Sequence, residues 1–247
     1  MPVSHSRHDL SSLKALEDPG SIFKDTVRHN ETRPAEAILD AGGMNTVQLQ
    51  IWVSPVGGTN GLAYILELAK RFQRQPPPAG RQKTLSVGVT LRSYVKDTAP
   101  DFAKAGANLD TVSLNSEKRH GLLWPNGYVD VYDQHWSQTA LKMRSMKPCV
   151  QLMIHVDNRW DATLQQRFYN DLFASGVSTA SFDTIGVSFY PFYGTAATFG
   201  NLIPVPQSSE PGIPDSIDGR IIWTKNVIDA VKSVPPGIGR VHYWEPA

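Results

Sequence analysis

The stretch VSLNSEKRHGLLWP, residues 112–125, decides the fold prediction, because an apolar run stops there at a single carboxylate, Glu117. Just upstream, the run TVSL (111–114) is typical of a short strand buried on both faces, as in parallel sheets. α/β barrels place their catalytic groups just past the carboxyl ends of such strands. The pattern therefore predicts a buried strand that delivers an acid to a pocket. Spacing alone also allows a solvated Glu117 that pairs with Lys118 or Arg119.

Strand-like and helix-like segments alternate along the rest of the chain. Residues 45–53 alternate apolar and polar side chains with a period of two, which is typical of a strand with two different faces. Residues 63–73 carry apolar side chains at helical spacing and basic residues at the end, where the helix dipole favours them. Further helices are predicted at 35–41 and 217–234, and further strands at 150–154, 183–189 and 239–244. Residues 1–34 read as an irregular arm, and the alternation indicates an α/β fold.

Length and composition fit one globular domain spanning residues 1–247. The chain is 40% hydrophobic and 19% charged, with a formal net charge of +1. This charge gives no basic face of the kind that binds nucleic acid or a membrane surface. We also predict a monomer that uses no cofactor. The single cysteine, Cys149, allows neither an intrachain disulfide nor a cysteine-type metal site, and it is predicted to be buried. Neither a signal peptide nor a membrane-spanning run is predicted, and no metal site is assigned.

Six segments in chain order resemble glycoside hydrolase family 53, the arabinogalactan endo-β-1,4-galactanases. They are DLSSLKALED (9–18), NTVQLQIWVSP (45–55), NSEKRHGLLWP (115–125), MIHVDNRWD (153–161), GVSFYPFYGTAAT (186–198) and YWEPA (243–247). The third is the most specific, since the family's general-acid segment has an Asn-Glu pair, then an Arg, then GLLWP. The resemblance implies a (β/α)8 TIM-barrel fold and retaining hydrolysis of β-1,4-galactan in arabinogalactan.

The resemblance also implies roles for individual residues. Glu117 matches the general acid/base, and His155 with Asp157 matches a sugar-binding pair. Tyr190 matches a tyrosine beside the nucleophile, and Trp244 a tryptophan on the floor of the cleft. The remaining substrate-binding positions are Gln50, Ser116 and Trp124.

Two of these positions depart from the family pattern. Ser116 stands where the family has an Asn that binds a sugar hydroxyl, and the shorter side chain reaches less far. Gln50 and Gln48 lie on a strand that carries arginines in the family, and Gln lacks their fixed charge and fork geometry. We therefore expect weaker orientation of the substrate and of a nearby carboxylate at these points.

Without the resemblance, the predicted site residues can also be explained by a structural role. His155 and Asp157 follow a buried-strand run and can pair with each other rather than with a ligand. The aromatic residues from Phe189 to Tyr193 fit a carbohydrate cleft, where flat rings pack on pyranose C–H faces, but they also fit an apolar core. The residues alone leave both readings open.

We expect two strand segments of the family to be missing from this sequence. The third strand belongs after the helix at 63–73, where the chain instead has QPPPAGRQK (75–83). The seventh, which carries the nucleophilic Glu, belongs after Thr198, where only FGNLIPVPQSSEPG (199–212) is found. Glu210 in that segment is a poor nucleophile candidate, because a loop does not hold the geometry that covalent catalysis needs. We therefore expect a truncated or incomplete barrel with no identified nucleophile.

Three interpretations follow for function. The first is a galactanase-like glycosidase with Glu117 as acid/base. The second is an inactive pseudoenzyme that binds galactan through Trp124, His155, Asp157, Tyr190 and Trp244, and the third is the product of an incomplete gene model. Family members are usually secreted, so the resemblance implies secretion, whereas the absence of a predicted signal peptide favours the cytoplasm.

Overall fold

Parallel strands with helices between them form the frame of the molecule. The computed structural model describes residues 6–52, 60–74, 83–89, 98, 100–114, 139–141, 143–157, 161–188 and 217–233. Its elements are β1 (Ser6–Asp9), α1 (Leu13–Glu17), β2 (Lys24–Asp25), β3 (Glu31–Thr32), α2 (Ala35–Ala41), β4 (Met44–Ile51), α3 (Leu62–Arg74), β5 (Thr84–Val89), β6 (Leu109–Ser113), β7 (Gln151–Val156), α4 (Ala162–Ala174), β8 (Thr184–Val187) and α5 (Ile217–Ser233). Further helical residues lie at 100–104, 139–141 and 143–146.

The main sheet has the strand order of a barrel in which each strand pairs with the next. Six strands lie in the order β1-β4-β5-β6-β7-β8, and every pair is parallel. Helices α2, α3 and α4 connect successive strands of this sheet. This is the arrangement of a (β/α)8 TIM barrel, of which six strands lie within the described residues, so the predicted fold class is confirmed.

The family's third barrel strand is present as β5, so the prediction that it is missing was wrong. β5 pairs with β4 from Thr46↔Thr84 to Ile51↔Val89, and with β6 on its other side. Its sequence TLSVGV places apolar residues at alternate positions, which is the strand period. The prediction was wrong because the alternation in TLSVGV, directly after QPPPAGRQK, was not recognised as a strand. The predicted absence of the seventh strand after Thr198 and the predicted strand at 239–244 both concern residues outside the described ranges, so both stay predictions.

The region before α2 is more regular than the irregular arm that the sequence predicted. It contains β1, the short helix α1 and a small antiparallel sheet of β2 and β3. β1 was missed because SRHD is short and polar, without an apolar alternation to mark it. Its hydrogen bonds to β4 make it a strand all the same, since tertiary pairing overrides weak local preference.

The core lies between the sheet and its helices. Val47, Leu49 and Ile51 of β4 are buried and belong to one apolar cluster with Ile65 and Phe72 of α3. Across the sheet, residues of β6, β7 and α4 extend the same cluster. Burial of these side chains is the main stabilising term, at about 1.5–3 kcal/mol for each large one. The prediction that Cys149 is buried was wrong, because it lies exposed in the turn that precedes β7.

Ion pairs join the helices to one another and to the start of β5. Arg71 of α3 donates to both carboxylate oxygens of Glu17 on α1, at 2.6 and 3.0 Å, and to Glu36 of α2 at 2.8 Å. The ammonium of Lys83 lies 2.8 Å from Asp40 and donates to the backbone oxygen of Phe72. Because Glu36 and Lys83 are buried, removing either partner would leave a charge uncompensated.

His8 makes the stability of the sheet dependent on pH. It pairs with Val47 in the β1–β4 register, and burial lowers the pKa of its imidazole. The folded protein therefore keeps His8 neutral at pH values where the unfolded chain, with an ordinary pKa of about 6.5, is already protonated. This contribution is complete above about pH 6.5 and is lost as the pH falls towards the folded pKa. We expect the free energy of unfolding, measured by urea titration, to fall more steeply from pH 7 to pH 5 in the wild type than in His8→Gln.

The exposed His29 is the matched control for this experiment. His29→Gln should keep the wild-type dependence of stability on pH. Identical slopes in the wild type and in His8→Gln would contradict the assignment to His8.

Candidate functional site

The carboxyl ends of the parallel strands meet at one rim of the sheet. β1 ends there at Asp9, β4 at Ile51, and β7 and β8 lead into Asp157 and Ser188. Gln50 and His155 each lie one residue before the end of their strand. Three of the predicted site residues, Gln50, His155 and Asp157, therefore lie on the rim where this fold places its chemistry.

β4 directs Gln48 and Gln50 away from the helices. Val47, Leu49 and Ile51 are buried with α3 on one face, and Gln48 and Gln50 alternate with them and are half-buried. Since successive strand side chains point to opposite faces, the two glutamines lie on the inner face of the curved sheet. Gln50 is therefore placed to offer an amide to a ligand at the rim.

The segment after β1 is tied to the end of β4 through a short hydrogen-bond chain. The backbone N–H of Ser11 donates to Oδ1 of Asp9 at 2.8 Å, which is an Asx turn. The Ser11 hydroxyl in turn accepts the backbone N–H of Gln50 at 2.9 Å. Asp9 and Ser11 are both buried. The two residues fix the backbone on which the Gln50 side chain is carried.

β7 and β8 form the opposite part of the described rim. Nε2 of His155 lies 3.1 Å from the Ser188 hydroxyl, and the tautomer of the imidazole decides which group donates. The backbone N–H of Ser188 donates to Val156, which holds the serine at the end of the sheet. The backbone oxygen of Asp157 accepts from Nε2 of buried Gln165 on α4 at 2.6 Å. His155 and Asp157 thus have fixed backbones, and their binding of sugar stays a prediction.

Gly186 leaves room for Met153 on the inner face below His155. A Cβ at position 186 would lie 2.6 Å from Sδ of Met153, which is closer than real Cβ contacts. We expect Gly186→Ala to reduce the free energy of unfolding by about 1–2 kcal/mol, since overpacking costs 1–3 kcal/mol and the Met side chain is flexible. The double variant Met153→Ala/Gly186→Ala should recover most of this loss relative to Met153→Ala alone. Additive losses in the denaturation midpoints would contradict the contact.

Other features of the described residues do not add to the rim. A small cavity of about 10 Å³ lies on the helix side of β4, between Leu49 and Phe72, and it has room for no more than one water. No group of three metal-ligating side chains occurs in the described ranges. Within the same ranges, no helix combines the length and the apolar character needed to cross a bilayer.

The other predicted site residues lie outside the described residues. These are Ser116, Glu117, Trp124, Tyr190 and Trp244. Leu114, the last described residue before Glu117, is buried and directly follows β6. The assignment of these five side chains to the site stays a prediction.

Comparison with known protein families identifies the chain. The model of glycosyl hydrolase family 53 matches residues 72–203, slightly more than half of the sequence. The chain belongs to glycosyl hydrolase family 53. This confirms the family that the sequence motifs indicated.

Curated relatives agree with this assignment to family 53. A probable arabinogalactan endo-β-1,4-galactanase A from Aspergillus fumigatus is 31% identical over 97% of this chain and 83% of its own length. The corresponding protein from Aspergillus terreus is 32% identical, with coverage of 97% and 84%. An arabinogalactan endo-β-1,4-galactanase from Thermothelomyces thermophilus is 31% identical, with coverage of 97% and 88%. These relatives are named as glycosidases.

Solved structures support the same fold. One from a study of two fungal β-1,4-galactanases superimposes with a TM-score of 0.84 at 30% identity, and the match covers 98% of this chain and 89% of that one. A family 53 catalytic domain from Ignisphaera aggregans superimposes with a TM-score of 0.73 at 18% identity, covering 99% and 85%. The second likeness bears on the fold alone.

Sequence reasoning missed three residues of the family 53 rim. Asp9 and Ser11 form the Asx turn that holds Gln50, and Ser188 contacts His155. The Asp-Leu-Ser pattern at 9–11 is itself an Asx-turn signal and could have indicated the first two. Ser188 has no such local signal, because its contact depends on the pairing of β7 with β8.

Proposed function

We propose that this protein is an endo-β-1,4-galactanase-like glycosidase that hydrolyses β-1,4-galactan in arabinogalactan, acting as a monomeric single domain. Glu117 is the proposed general acid/base. Gln50, His155, Asp157 and the aromatic residues at 124, 190 and 244 bind the sugar. The observation that carries the proposal is the segment NSEKRHGLLWP, which begins directly after β6 reaches the rim at Leu114.

The proposed chemistry uses Glu117 in two protonation states. As an acid, it gives its proton to the glycosidic oxygen while the bond from that oxygen to the anomeric carbon breaks. As a carboxylate, it then takes a proton from the water that completes hydrolysis. Retention also requires a second carboxylate, about 5–5.5 Å from the first, which bonds to the anomeric carbon as the glycosidic bond breaks and is displaced when the water attacks. No residue is assigned to that role.

A galactan-binding protein without turnover is the second candidate. The observation that favours it is the composition of residues 198–213, where the only carboxylate is Glu210, between Ser209 and Pro211. All of the proposed sugar-binding residues lie outside that segment. The two candidates therefore share a ligand and differ in product formation.

One experiment separates the two candidates. The purified chain is incubated with linear β-1,4-galactan, and new reducing ends are measured in parallel with calorimetric titration of β-1,4-linked galactotetraose. Release of reducing ends supports the hydrolase. Binding without release supports the binding protein, and neither binding nor release overturns both.

A further inference from the structure

A tryptophan stands exposed at the rim, beside the residues already described. Trp52 directly follows β4 and is 55% exposed. A ring of this size that remains in solvent leaves a large apolar area unburied, which is unusual for a structural side chain. Its position at the rim indicates which ligand would contact it.

The side chains on the inner face of β4 become more exposed towards the rim. Thr46 is buried, Gln48 and Gln50 are half-buried, and Trp52 continues the same period of two as an exposed residue. Trp52 therefore lies on the side of the strand that carries Gln50, opposite the apolar face that packs on α3. The indole and the Gln50 amide are presented to the same space.

Hydrogen bonds on both sides hold the backbone that carries Trp52. Its N–H donates to the backbone oxygen of Asn60 at 2.9 Å, and Asn60 is itself buried. Two residues earlier, the N–H of Gln50 donates to the Ser11 hydroxyl. The backbone at Trp52 is thus already fixed. Ordering the indole on ligand binding therefore costs little conformational entropy.

We propose that Trp52 forms a subsite in which the indole stacks on a galactosyl ring of the substrate. This inference rests on the proposed function, since it takes the rim to bind β-1,4-galactan. A flat aromatic face suits the C–H face of a pyranose, and the neighbouring Gln50 amide suits its hydroxyls. The occupant is a neutral sugar polymer, because neither Trp52 nor the neighbouring Gln50 carries a charge that would pair with an ion.

Titration of β-1,4-linked galactotetraose by calorimetry tests the subsite. Trp52→Ala should weaken affinity about five- to tenfold, which corresponds to a stacking contribution of about 1–1.4 kcal/mol. Trp52→Phe keeps a flat ring and should remain within about threefold of the wild type. The matched control is Phe173→Ala, because Phe173 is also a partly exposed aromatic residue but lies on α4 in the helix layer. The affinity of this variant for galactotetraose should equal that of the wild type.

Chemical protection gives a second readout that a purely structural role would not change. Exposed Trp52 should be oxidised readily by N-bromosuccinimide, and galactotetraose should slow that oxidation in a peptide mass map. Wild-type binding with unchanged affinity in Trp52→Ala and no protection at position 52 would overturn the subsite and leave the proposed function standing. Absence of galactotetraose binding by the wild type would instead overturn the proposed function, and this inference with it.

Discussion

Glu117→Gln is expected to lower the rate of galactan hydrolysis by about 10²- to 10⁴-fold, because an amide cannot supply the proton that the leaving oxygen needs. The side chain keeps nearly the same size, so binding of galactotetraose should remain within about threefold of the wild type. Reducing-end release from linear β-1,4-galactan measures the first quantity, and calorimetric titration measures the second. A loss of turnover with retained binding is the pattern of a residue that acts on the reacting bond.

The control for this variant is Glu67→Gln, since Glu67 is an exposed carboxylate on α3 in the helix layer. Its hydrolysis rate should equal that of the wild type. Equal rates for the wild type and Glu117→Gln would remove Glu117 from the mechanism. They would point to a different acid at the rim.

Ile154→Ala is expected to cost about 3–4 kcal/mol of folding free energy. Ile154 is 0% exposed in the centre of β7, and deletion of a buried Ile side chain removes its transfer free energy and leaves a cavity. Urea unfolding followed by far-UV circular dichroism measures the change. The strand that would be loosened is the one that leads into His155 and Asp157, so sugar binding should weaken near the new unfolding midpoint.

Ile185 offers a control of the same residue type. It pairs with Ile154 in the β7–β8 register, but it is 51% exposed. Ile185→Ala should change the free energy of unfolding by no more than about 0.5 kcal/mol. Equal costs for the two variants would mean that burial does not set the energetics of this part of the sheet.

Local pattern was sufficient where an element has a long and regular face. β4 and α3 were predicted closely because each carries several apolar residues at the strand or helix period. Pattern failed for β1, where four polar residues become a strand only through pairing with β4. For β5 the local pattern is present, since the apolar residues of TLSVGV alternate at the strand period, but it was not recognised because the third strand was expected to be missing.

At the rim, some residues could likewise be placed from local sequence, whereas others depend on contacts between distant segments. His155 and Asp157 could be placed from sequence, because a buried-strand run ends beside them. The contact of Ser188 with His155 could not, since it joins residues 33 apart through strand pairing. Trp52 was part of a predicted strand, but only the structure gives its exposure, which depends on what does not pack against it.

The most direct test of the account is time-resolved proton NMR of linear β-1,4-galactan incubated with the purified protein. The account predicts new reducing ends that appear first as the β-anomer, since a retaining glycosidase preserves the configuration of the bond it breaks. First appearance of the α-anomer would contradict the retaining chemistry. A galactan spectrum that does not change would contradict the proposed hydrolase.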